Sequence, residues 1–467
     1  MKATYGVAMV ALFLELAAAP VVFGQGAGGP DGRGVAGHVA ESAAPATRQN
    51  TSRDSAPGDP EPRRLLLPEL YELARAMSPR LRAAEAGVAA ARARESWAGF
   101  PPDPMIELGA MNLSLPGLRA DMPASMAPSI QAMQTIPFPG KLGLNRKLAK
   151  QDTRAEAAEA AEAWWTVRSR VASAFYELYA IDQSLAVMRE TLGLMQSFEA
   201  VARSLYATGS GRQTDVLRAS VEVARLRTDI ARLEASREGA AARLNAALGR
   251  AADTPVPSPA LSPLPLELPA LDTLQRWAEE SSPLLEGLRI RVEQARTRRD
   301  LARREIWPDL TVGVQYGQNH GPMGTERMGS AMIGFSVPVF AGRRQLELRE
   351  EAAALEQATE ATLAEQRADV AARILELTAT LERNRTLIDL YRREILPQAA
   401  ANVESALAAY RAGMVDFLTL IEAQTSKQDY ERELHELVAE YGAAIAELER
   451  TLGRELPVTG DILAEVP

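Results

Sequence analysis

Two long stretches of the chain carry apolar residues at the spacing of a helix that packs along its whole length. The first runs from Gly140 to Gly209 and contains no proline. At 1.5 Å per residue such a helix is about 100 Å long, which is far more than a globular domain uses. Its apolar residues recur three and four positions apart, the pattern of helices packed side by side: Leu178, Ile181, Leu185, Met188, Leu192 and Met195.

The second stretch, Gly342 to Gly413, has the same character and is free of proline until Pro397. Each stretch ends at a glycine-containing break and is followed by a further helix, predicted over 214–249 and 417–452. The apolar positions of the second long stretch are Ile374, Leu377, Leu381, Ile388, Tyr391 and Ile395. Those of the helix after the first break are Val223, Leu226, Ile230, Leu233, Ala240, Leu244 and Leu248.

Short segments with apolar residues at alternate positions precede both long helices, and they predict strands. Leu310, Val312, Val314 and Tyr316 give the clearest alternation. Each segment has about the 9–11 residues that a tilted membrane-spanning strand requires. The strands are predicted over 103–115, 128–138, 309–319 and 328–340.

The same order of features occurs twice, which predicts an internal duplication. Several matching positions share an offset of 204 residues, among them Gly209 and Gly413. The first repeat covers 65–250, a proline-rich linker covers 251–270, and the second repeat covers 271–454. The matching pairs are Ser78-Pro79 with Ser282-Pro283, Pro102-Asp103 with Pro308-Asp309, Tyr206 with Tyr410, and Leu248-Gly249-Arg250 with Leu452-Gly453-Arg454.

The predicted fold is therefore mainly α-helical with a small transmembrane β part. Each repeat reads as helix, strand, loop, strand, long helix, tight break, helix. The first helix is predicted from about Pro68 to Ala98, the long helices over about 140–207 and 342–411, and the breaks over about 208–213 and 412–416. Four strands cannot close a membrane barrel, which needs about eight or more, and an open strand edge is not tolerated in lipid. The chain must then oligomerise: two copies supply eight strands and three copies supply twelve.

Composition narrows the class of protein. A net charge of −9 argues against a nucleic-acid partner, and the absence of cysteine excludes thiolate metal sites and cysteine nucleophiles. The three histidines, His38, His320 and His435, are scattered and form no catalytic or metal-binding motif. We expect no enzymatic activity, no cofactor and no assigned metal site.

The two ends of the chain are predicted to lie outside the repeats. Lys2, an apolar run from Tyr5 to Leu14 and small residues after it predict a signal peptide over 1–24; a disordered N-terminus is the alternative. Residues 25–64 read as a flexible tether, and 455–467 as a C-terminal tail.

In these features the sequence resembles the TolC-type outer membrane efflux proteins. The resemblance is carried by the duplication, by the entry to the long helix, Ile136-Pro137-Phe138-Pro139-Gly140-Lys141, and by the breaks, and it covers about residues 65–455. It implies a homotrimer with a twelve-stranded outer-membrane β-barrel continuous with an α-helical barrel in the periplasm. It also implies a periplasmic adaptor protein and an inner-membrane pump as partners, with outer-membrane lipid around the barrel.

The glycine breaks, which we call the tips, are the main candidate site. Glycine allows the left-handed conformation that ends a helix, and Asp or Thr caps the next one, a role expected for Thr214 and Asp416. The resemblance implies adaptor contact for the tip residues Gly209, Gly211, Arg212, Arg411, Gly413 and Asp416.

Two acids near the tips, Asp215 and Glu422, match positions where the family has acidic residues lining a closed periplasmic aperture. In a trimer they would form two rings of three carboxylates, which act on cations. Thr419 departs from the pattern, because some relatives have an acid there. The alternative is that both are solvated carboxylates in the first turns of their helices.

Four aromatic residues flank the predicted strands at one level, as an interfacial belt would: Phe100, Phe138, Trp307 and Phe340. The alternative is that each packs a junction between helix and strand.

Methionines are concentrated around the strands, and thioethers are soft ligands suited to Cu(I) or Ag(I). The entry to the long helix also resembles heavy-metal efflux members of the family. Methionine is equally an ordinary filler of irregular packing, so the cargo, metal ion or drug, stays open. The residues are Met105, Met111, Met122, Met126, Met133, Met323, Met328 and Met332.

The predicted function is the outer-membrane channel of a tripartite efflux system, a passive exit duct for small molecules or metal ions. The alternative is a secreted periplasmic coiled-coil protein with a structural or adaptor role. An adaptor would carry a single hairpin between β-rich segments, whereas here strands recur within two long hairpins.

Overall fold

A computed structural model describes residues 64–111, 127–321 and 324–462 of the chain. The predicted signal peptide (1–24) and nearly all of the tether (25–64) lie outside the described residues, as do His38, Met122, Met126 and Met323. The α-helices are α1 (Leu67–Met77), α2 (Pro79–Trp97), α3 (Lys141–Ala207), α4 (Gln213–Leu248), α5 (Leu271–Ser281), α6 (Pro283–Arg304), α7 (Gln345–Leu390), α8 (Leu396–Arg411) and α9 (Phe417–Leu452).

The strands form two separate sheets. Four longer strands make an antiparallel sheet whose order, β2-β3-β5-β6, follows the chain, and two very short strands make a parallel pair, β1-β4. The strands are β1 (Leu65–Leu66), β2 (Met105–Met111), β3 (Ala127–Ile136), β4 (Pro259–Ala260), β5 (Leu310–Gly321) and β6 (Gly324–Phe335).

Helix α3 spans 67 residues without interruption and is about 100 Å long. Its predicted apolar stripe faces other helices: Leu178, Leu185 and Met195 are buried, while Ile181 and Leu192 are partly buried. Residues of α3 contact α2, α4, α6 and α9. Burial on several sides explains how a helix of this length is held, since helical stability in proteins comes mostly from packing.

The second long helix is not continuous, contrary to the single helix expected over 342–411. Helix α7 begins at Gln345 and ends at Leu390, and residues Tyr391–Ile395 form a π-helical turn before α8. In that turn the Leu396 N–H donates to the Tyr391 carbonyl, five residues earlier. The cause is Pro397, which has no N–H to donate and whose ring crowds the carbonyl four residues before it.

The helix expected from Pro68 to Ala98 is also divided, and its counterpart in the second half divides in the same way. Ser78 and Ser282 separate α1 from α2 and α5 from α6, and both have extended backbone angles, with ψ of 121° and 116°. Each precedes a proline, which disfavours the helical conformation of the preceding residue.

The proline-rich stretch 251–270 is more than the stiff spacer that its composition predicts. Its residues Pro259–Ala260 pair in parallel with Leu65–Leu66, and the Leu65 N–H donates to the Ser258 carbonyl at 3.1 Å. Val256 and Leu264 from the same stretch are buried in the main core. The stretch is therefore packed on the helices and closes one side of their core.

Helices α3 and α9 approach each other closely at Tyr176 and Gly442. A Cβ atom on Gly442 would lie 2.3 Å from the Tyr176 ring, whereas one on Gly193, in α3, would meet nothing within 4 Å. Both glycines lie inside helices, so replacement by alanine changes the helix propensity in the same way at both positions. Only the substitution at Gly442 also adds a clash.

We expect Gly442→Ala to destabilise the protein by about 1–3 kcal/mol through overpacking. Gly193→Ala is the matched control and should stabilise by about 0.4–1 kcal/mol, because alanine restricts the unfolded chain. Unfolding of the detergent-solubilised protein, followed by circular dichroism, measures both. Equal midpoints for the two variants would contradict this packing.

Candidate functional site

The four-stranded sheet has one apolar and one polar face. Residues directly paired across the ladder point to the same side, and their register runs through all four strands. The apolar face is exposed in the chain; Leu108, for example, is 78% exposed. This face contains Ile106, Leu108, Ile130, Ile136, Leu310, Val312, Val314, Tyr316, Ile333 and Phe335, with the polar Gln134, Gln318 and Arg327 among them. The polar face contains Glu107, Ser129, Gln131, Thr135, Thr311, Gln315 and Ser330, together with Met105, Met133, Met328 and Met332.

The outer strands of this sheet, β2 and β6, are each paired on one side only among the described residues. Every residue of β6 is exposed. An unpaired edge presents a row of N–H and C=O groups that can pair with another chain. Both edges of the sheet are therefore open to pairing with a further strand.

A buried lysine joins the sheet to the helices. Lys141, the first residue of α3, is only 5% exposed. Its Nζ lies 2.9 Å from Asp309 Oδ1, 3.3 Å from Glu305 Oε2 and 3.2 Å from the Trp307 carbonyl oxygen. Three acceptors match the three donors of the ammonium group, so this buried charge is fully satisfied.

The same junction is fixed by backbone contacts. Asp309 Oδ1 also accepts the Phe138 N–H at 2.8 Å, and Arg304 Nη1 donates to the Pro139 carbonyl at 2.9 Å. Gly140 has a φ of +96°, and a Cβ there would lie 1.9 Å from Arg304 Nη1. A residue with a side chain would be strained at this φ and would also displace the Arg304 guanidinium, so glycine is strongly favoured at the turn into α3.

The four predicted belt aromatics fall into two pairs with different surroundings. Phe138 and Trp307 stack on each other, with ring centroids 5.2 Å apart and an angle of 12°. Phe100 and Phe340 are 67% and 73% exposed. Phe138 and Trp307 therefore pack on each other, although Trp307 is still 54% exposed, and a role in a membrane interface stays a prediction for all four.

At the opposite end of the long helices, both tips close in the same hydrogen-bonded turn. Gly209 and Gly413 have positive φ, 75° and 71°. The Ser210 N–H donates to the Leu205 carbonyl, and the Met414 N–H donates to the Ala409 carbonyl, each at 2.9 Å. This is the Schellman motif, which satisfies the last carbonyls of a helix.

Of the two predicted helix caps, one is confirmed and one is wrong. The Asp416 carboxylate accepts the Thr419 N–H at 3.1 Å and its hydroxyl at 2.8 Å, and these bonds lower the pKa of Asp416. Thr214 is not a cap, because α4 begins one residue earlier, at Gln213, with Arg212 at the cap position. Thr419 thus completes a cap at the position where some relatives have an acid.

The two candidate aperture acids have different surroundings. Asp215, in the first turn of α4, is buried to 8% exposure, and the Tyr410 hydroxyl at the end of α8 donates to its Oδ2 at 3.5 Å. Burial, followed by the charge of Asp215, raises the pKa of Tyr410 to about 12. Glu422 is exposed on α9. Asp215 therefore links the two tips within one chain.

Tyr410 is the residue that the sequence analysis missed at the tips. Its repetition as Tyr206 and Tyr410 was a signal, but the repeat does not show which of the two meets an acid. Tyr410 also packs against Phe417, with ring centroids 5.2 Å apart. Arg212 and Arg411 are exposed beside the tips, where they are open to a partner.

The described residues lack two further features, a metal-binding cluster and a membrane-spanning helix. No cluster of three or more His, Cys, Asp or Glu side chains suited to a metal ion occurs in the described part of the chain. Among the described helices, none has the length and apolar character to cross a membrane. His435 hydrogen-bonds Tyr179, with 3.2 Å between its Nδ1 and the Tyr179 hydroxyl.

Long helical hairpins joined at one end to a small sheet are the fold of solved outer-membrane channel proteins. The outer membrane protein VceC of Vibrio cholerae matches with a TM-score of 0.70 and 19% identity, over 84% of this chain and 97% of that one. CusC matches with a TM-score of 0.72 and 18% identity over 83% and 92%. The open-state channel MtrE of Neisseria gonorrhoeae matches with a TM-score of 0.67 and 17% identity over 83% and 89%.

The sequence matches the profile of one family twice. The profile described as Outer membrane efflux protein fits residues 70–250 and again residues 274–454. The chain therefore belongs to the outer membrane efflux protein family. A curated relative, the cobalt-zinc-cadmium resistance protein CzcC of Cupriavidus metallidurans, is 25% identical over 290 residues, which is 62% of this chain and 68% of that protein.

We expect Lys141→Met to destabilise the protein by about 3 kcal/mol, because it leaves the Asp309 carboxylate without its ammonium partner. This value is at the lower end of the cost of removing one partner from a buried ion pair, because the Asp309 and Glu305 side chains are 30% and 40% exposed. Lys147→Met, at an exposed lysine of the same helix, is the control. Chemical unfolding of the solubilised protein measures the difference, and equal losses in the two variants would refute the role of Lys141.

Proposed function

We propose that this protein is the outer-membrane exit duct of a tripartite efflux system. In this proposal three copies close a twelve-stranded β-barrel, and their long helices continue it as a tube through the periplasm. An adaptor protein and an inner-membrane pump complete the route, and cargo passes through without chemistry. The observation that carries the proposal is the open sheet, with its apolar face and its two unpaired edges.

The physics of the sheet supports assembly of several copies. Four strands are too few for a membrane barrel, and unpaired backbone groups at an edge each cost several kcal/mol in lipid. Pairing β6 of one copy with β2 of the next removes both edges, and three copies supply twelve strands. The apolar face then meets lipid, and the polar face, with Glu107, Gln131 and Gln315, lines the lumen.

The junction around Lys141 also supports this assembly, because the matching residues of the other repeat lack such a junction within the described part of the chain. Its four residues, Phe138, Lys141, Trp307 and Asp309, have counterparts at or next to the matching positions of the other repeat. The counterparts are, in that order, Phe340, Arg343, Phe100 and Asp103. All four are exposed and make no equivalent contact among the described residues. Phe340 and Arg343 belong to the end of the sheet at β6, and Phe100 and Asp103 to the end at β2.

A neighbouring copy would bring these two sets together and rebuild the junction between chains. The positive Arg343 would face the negative Asp103, as Lys141 faces Asp309, and Phe340 would meet Phe100. One junction is thus formed within the chain, and its counterpart needs a second copy.

The matching positions of the two repeats suggest a register for this proposed pairing, and the faces of the strands agree with it. Within the chain Ile136 pairs with Leu310, and transfer to the matching positions places Phe335 opposite Ile106 and Ile333 opposite Leu108. All four lie on the apolar face. A slip of one residue would place apolar side chains against the polar face.

We expect Leu108→Cys combined with Ile333→Cys to give covalent multimers of up to three chains after mild oxidation. The chain has no cysteine of its own. Directly opposed residues on neighbouring strands have Cβ atoms about 4.5–5.5 Å apart, so a small approach of the strands brings two cysteines to the separation of about 4.5 Å or less that a disulfide requires. Non-reducing electrophoresis of membrane extracts measures the products.

Glu107→Cys combined with Ile333→Cys is the control, because these side chains would point to opposite faces. Monomers alone from the Leu108–Ile333 pair would contradict the proposed pairing, as would equal cross-linking of both pairs.

The tips would form the periplasmic end of the duct. Asp215 and Glu422 each occur three times in a trimer, and rings of carboxylates at a constriction govern the passage of cations. Gly209, Gly211, Arg212, Arg411, Gly413 and Asp416 would contact the adaptor. The relative CzcC supports this context, since its name records resistance to metal ions.

We expect Asp215→Ala combined with Glu422→Ala to raise the single-channel conductance in planar lipid bilayers. Two effects could contribute: loss of the acidic rings and loss of the bond from Tyr410 to Asp215. Tyr410→Phe, which removes only that bond, separates them. Unchanged conductance in the double variant would refute the aperture role, and failure of the wild-type protein to form pores would refute the duct itself.

A further inference from the structure

A cavity of about 370 Å³ lies where three separate segments of the chain meet. One wall comes from the end of α7 and the π turn, and the others come from Leu266 in the proline-rich stretch and from Ile462 after α9. This volume is within the range of pockets that hold small organic molecules. We call it the arginine cavity, because Arg385, Arg392 and Arg393 line it.

Two of these arginines have no ion pair among the described residues. Arg385 Nη1 donates to the Leu266 carbonyl at 3.4 Å, and Arg392 Nη1 donates to the Ile462 carbonyl at 2.7 Å. A carbonyl oxygen holds a guanidinium in place without neutralising its charge. Since a guanidinium has five N–H donors, both arginines keep donors for a further acceptor.

The acidic residues of the cavity do not balance its arginines. Asp389 lies in the wall, but its Oδ1 pairs with Arg393 Nε at 2.6 Å. Glu267 is the other acid of the wall, and its carboxylate pairs with neither Arg385 nor Arg392 in the part of the chain that the structure describes. Three arginines thus face two carboxylates, one of which is already engaged.

Buried side chains near the cavity sense this excess of positive charge. Burial lowers the pKa of His435, and the charge of Arg392 lowers it further. Burial raises the pKa of Tyr441 to about 12, and the charge of Arg385 opposes that rise. The field of both arginines therefore extends into the core behind them, where the structure supplies no compensating acid to His435 or Tyr441.

The chemistry of the walls selects one class of ligand. The planar guanidinium group matches carboxylate and phosphate oxygens, to which it can donate two parallel hydrogen bonds. The aliphatic side chains of Leu266, Ile388 and Ile462 also line the cavity and suit the carbon part of a ligand. A small organic molecule that carries an oxyanion fits both kinds of wall.

We propose that the arginine cavity binds a small organic oxyanion, a carboxylate or a phosphate ester, through Arg385 and Arg392. Such a ligand would contact the π turn, the proline-rich stretch and the segment after α9 at once, and so hold three segments together. The site is made within one chain, and it does not rest on the proposed exit duct.

The test is calorimetric titration of the full protein in detergent with citrate and, separately, with glycerol 3-phosphate, at constant ionic strength. The wild type should bind at least one of the two probes, with one molecule per chain. Arg385→Gln combined with Arg392→Gln should weaken that binding by about tenfold or more for each arginine, because each removes charge-assisted hydrogen bonds.

Two further variants test where the anion lies. Arg383→Gln is the matched control, because Arg383 is a neighbouring arginine of α7 that pairs with Glu440 at 2.8 Å and does not line the cavity; it should leave the affinity unchanged. Glu267→Gln removes the unpaired acid of the wall and should tighten binding, a gain that misfolding cannot produce.

Thermal unfolding without ligand checks that the double variant is folded. If it is less stable than the wild type, Arg385→Gln alone supplies the comparison, because this side chain is exposed and its bond to the Leu266 carbonyl is long.

The outcomes decide both the site and the kind of anion. Binding of citrate alone identifies a carboxylate ligand, binding of glycerol 3-phosphate alone identifies a phosphate ester, and binding of both supports the oxyanion chemistry that they share. Absence of binding by the wild type would overturn the site. Equal affinity in the wild type and the arginine variants, or unchanged or weaker binding by Glu267→Gln, would also overturn it, whether or not the protein forms pores.

Discussion

The buried ammonium of Lys141 connects the two parts of this structure. It lies where the last residues before β5 meet the first turn of α3, and three oxygens from one short segment satisfy it. A lysine enclosed in this way is tolerated only when every donor is paired, so the geometry of Glu305, Trp307 and Asp309 is constrained as a group. The direction in which a helix of about 100 Å leaves the sheet is set at this point.

The two halves of the chain have the same order of elements. They differ in how much of their long helix and of their junction is packed within one chain. Helix α3 is packed along much of its length, whereas the long helix of the second half has far fewer buried positions and contains a π turn. The junction of the first long helix with the second pair of strands is closed, and its counterpart is exposed. This inequality is what a proposed ring of copies explains, because each chain would complete its neighbour.

Apolar spacing predicts the long helices well, because a stripe of apolar residues at helical spacing is a local feature of the sequence. The π turn at Tyr391–Ile395 was not predictable in this way, since the apolar spacing continues through it and only Pro397 disturbs it. The β1–β4 pair is too short for any periodicity. The contact of Tyr410 with Asp215 joins residues 195 positions apart, and the buried state of Lys141 depends on carboxylates more than 160 positions away. Such partners become visible only when the fold brings them together.

The full exposure of β6 has a consequence for the life of the newly made chain. Outside the proposed ring of copies, this strand has a free edge, the kind of surface from which aggregates grow. Its sequence opposes that outcome: Gly324, Gly329 and Gly334 weaken the strand, and Glu326 and Arg327 add charge near one end. In the proposed assembly, the same residues that make β6 a poor isolated strand would also limit aggregation of the unassembled chain.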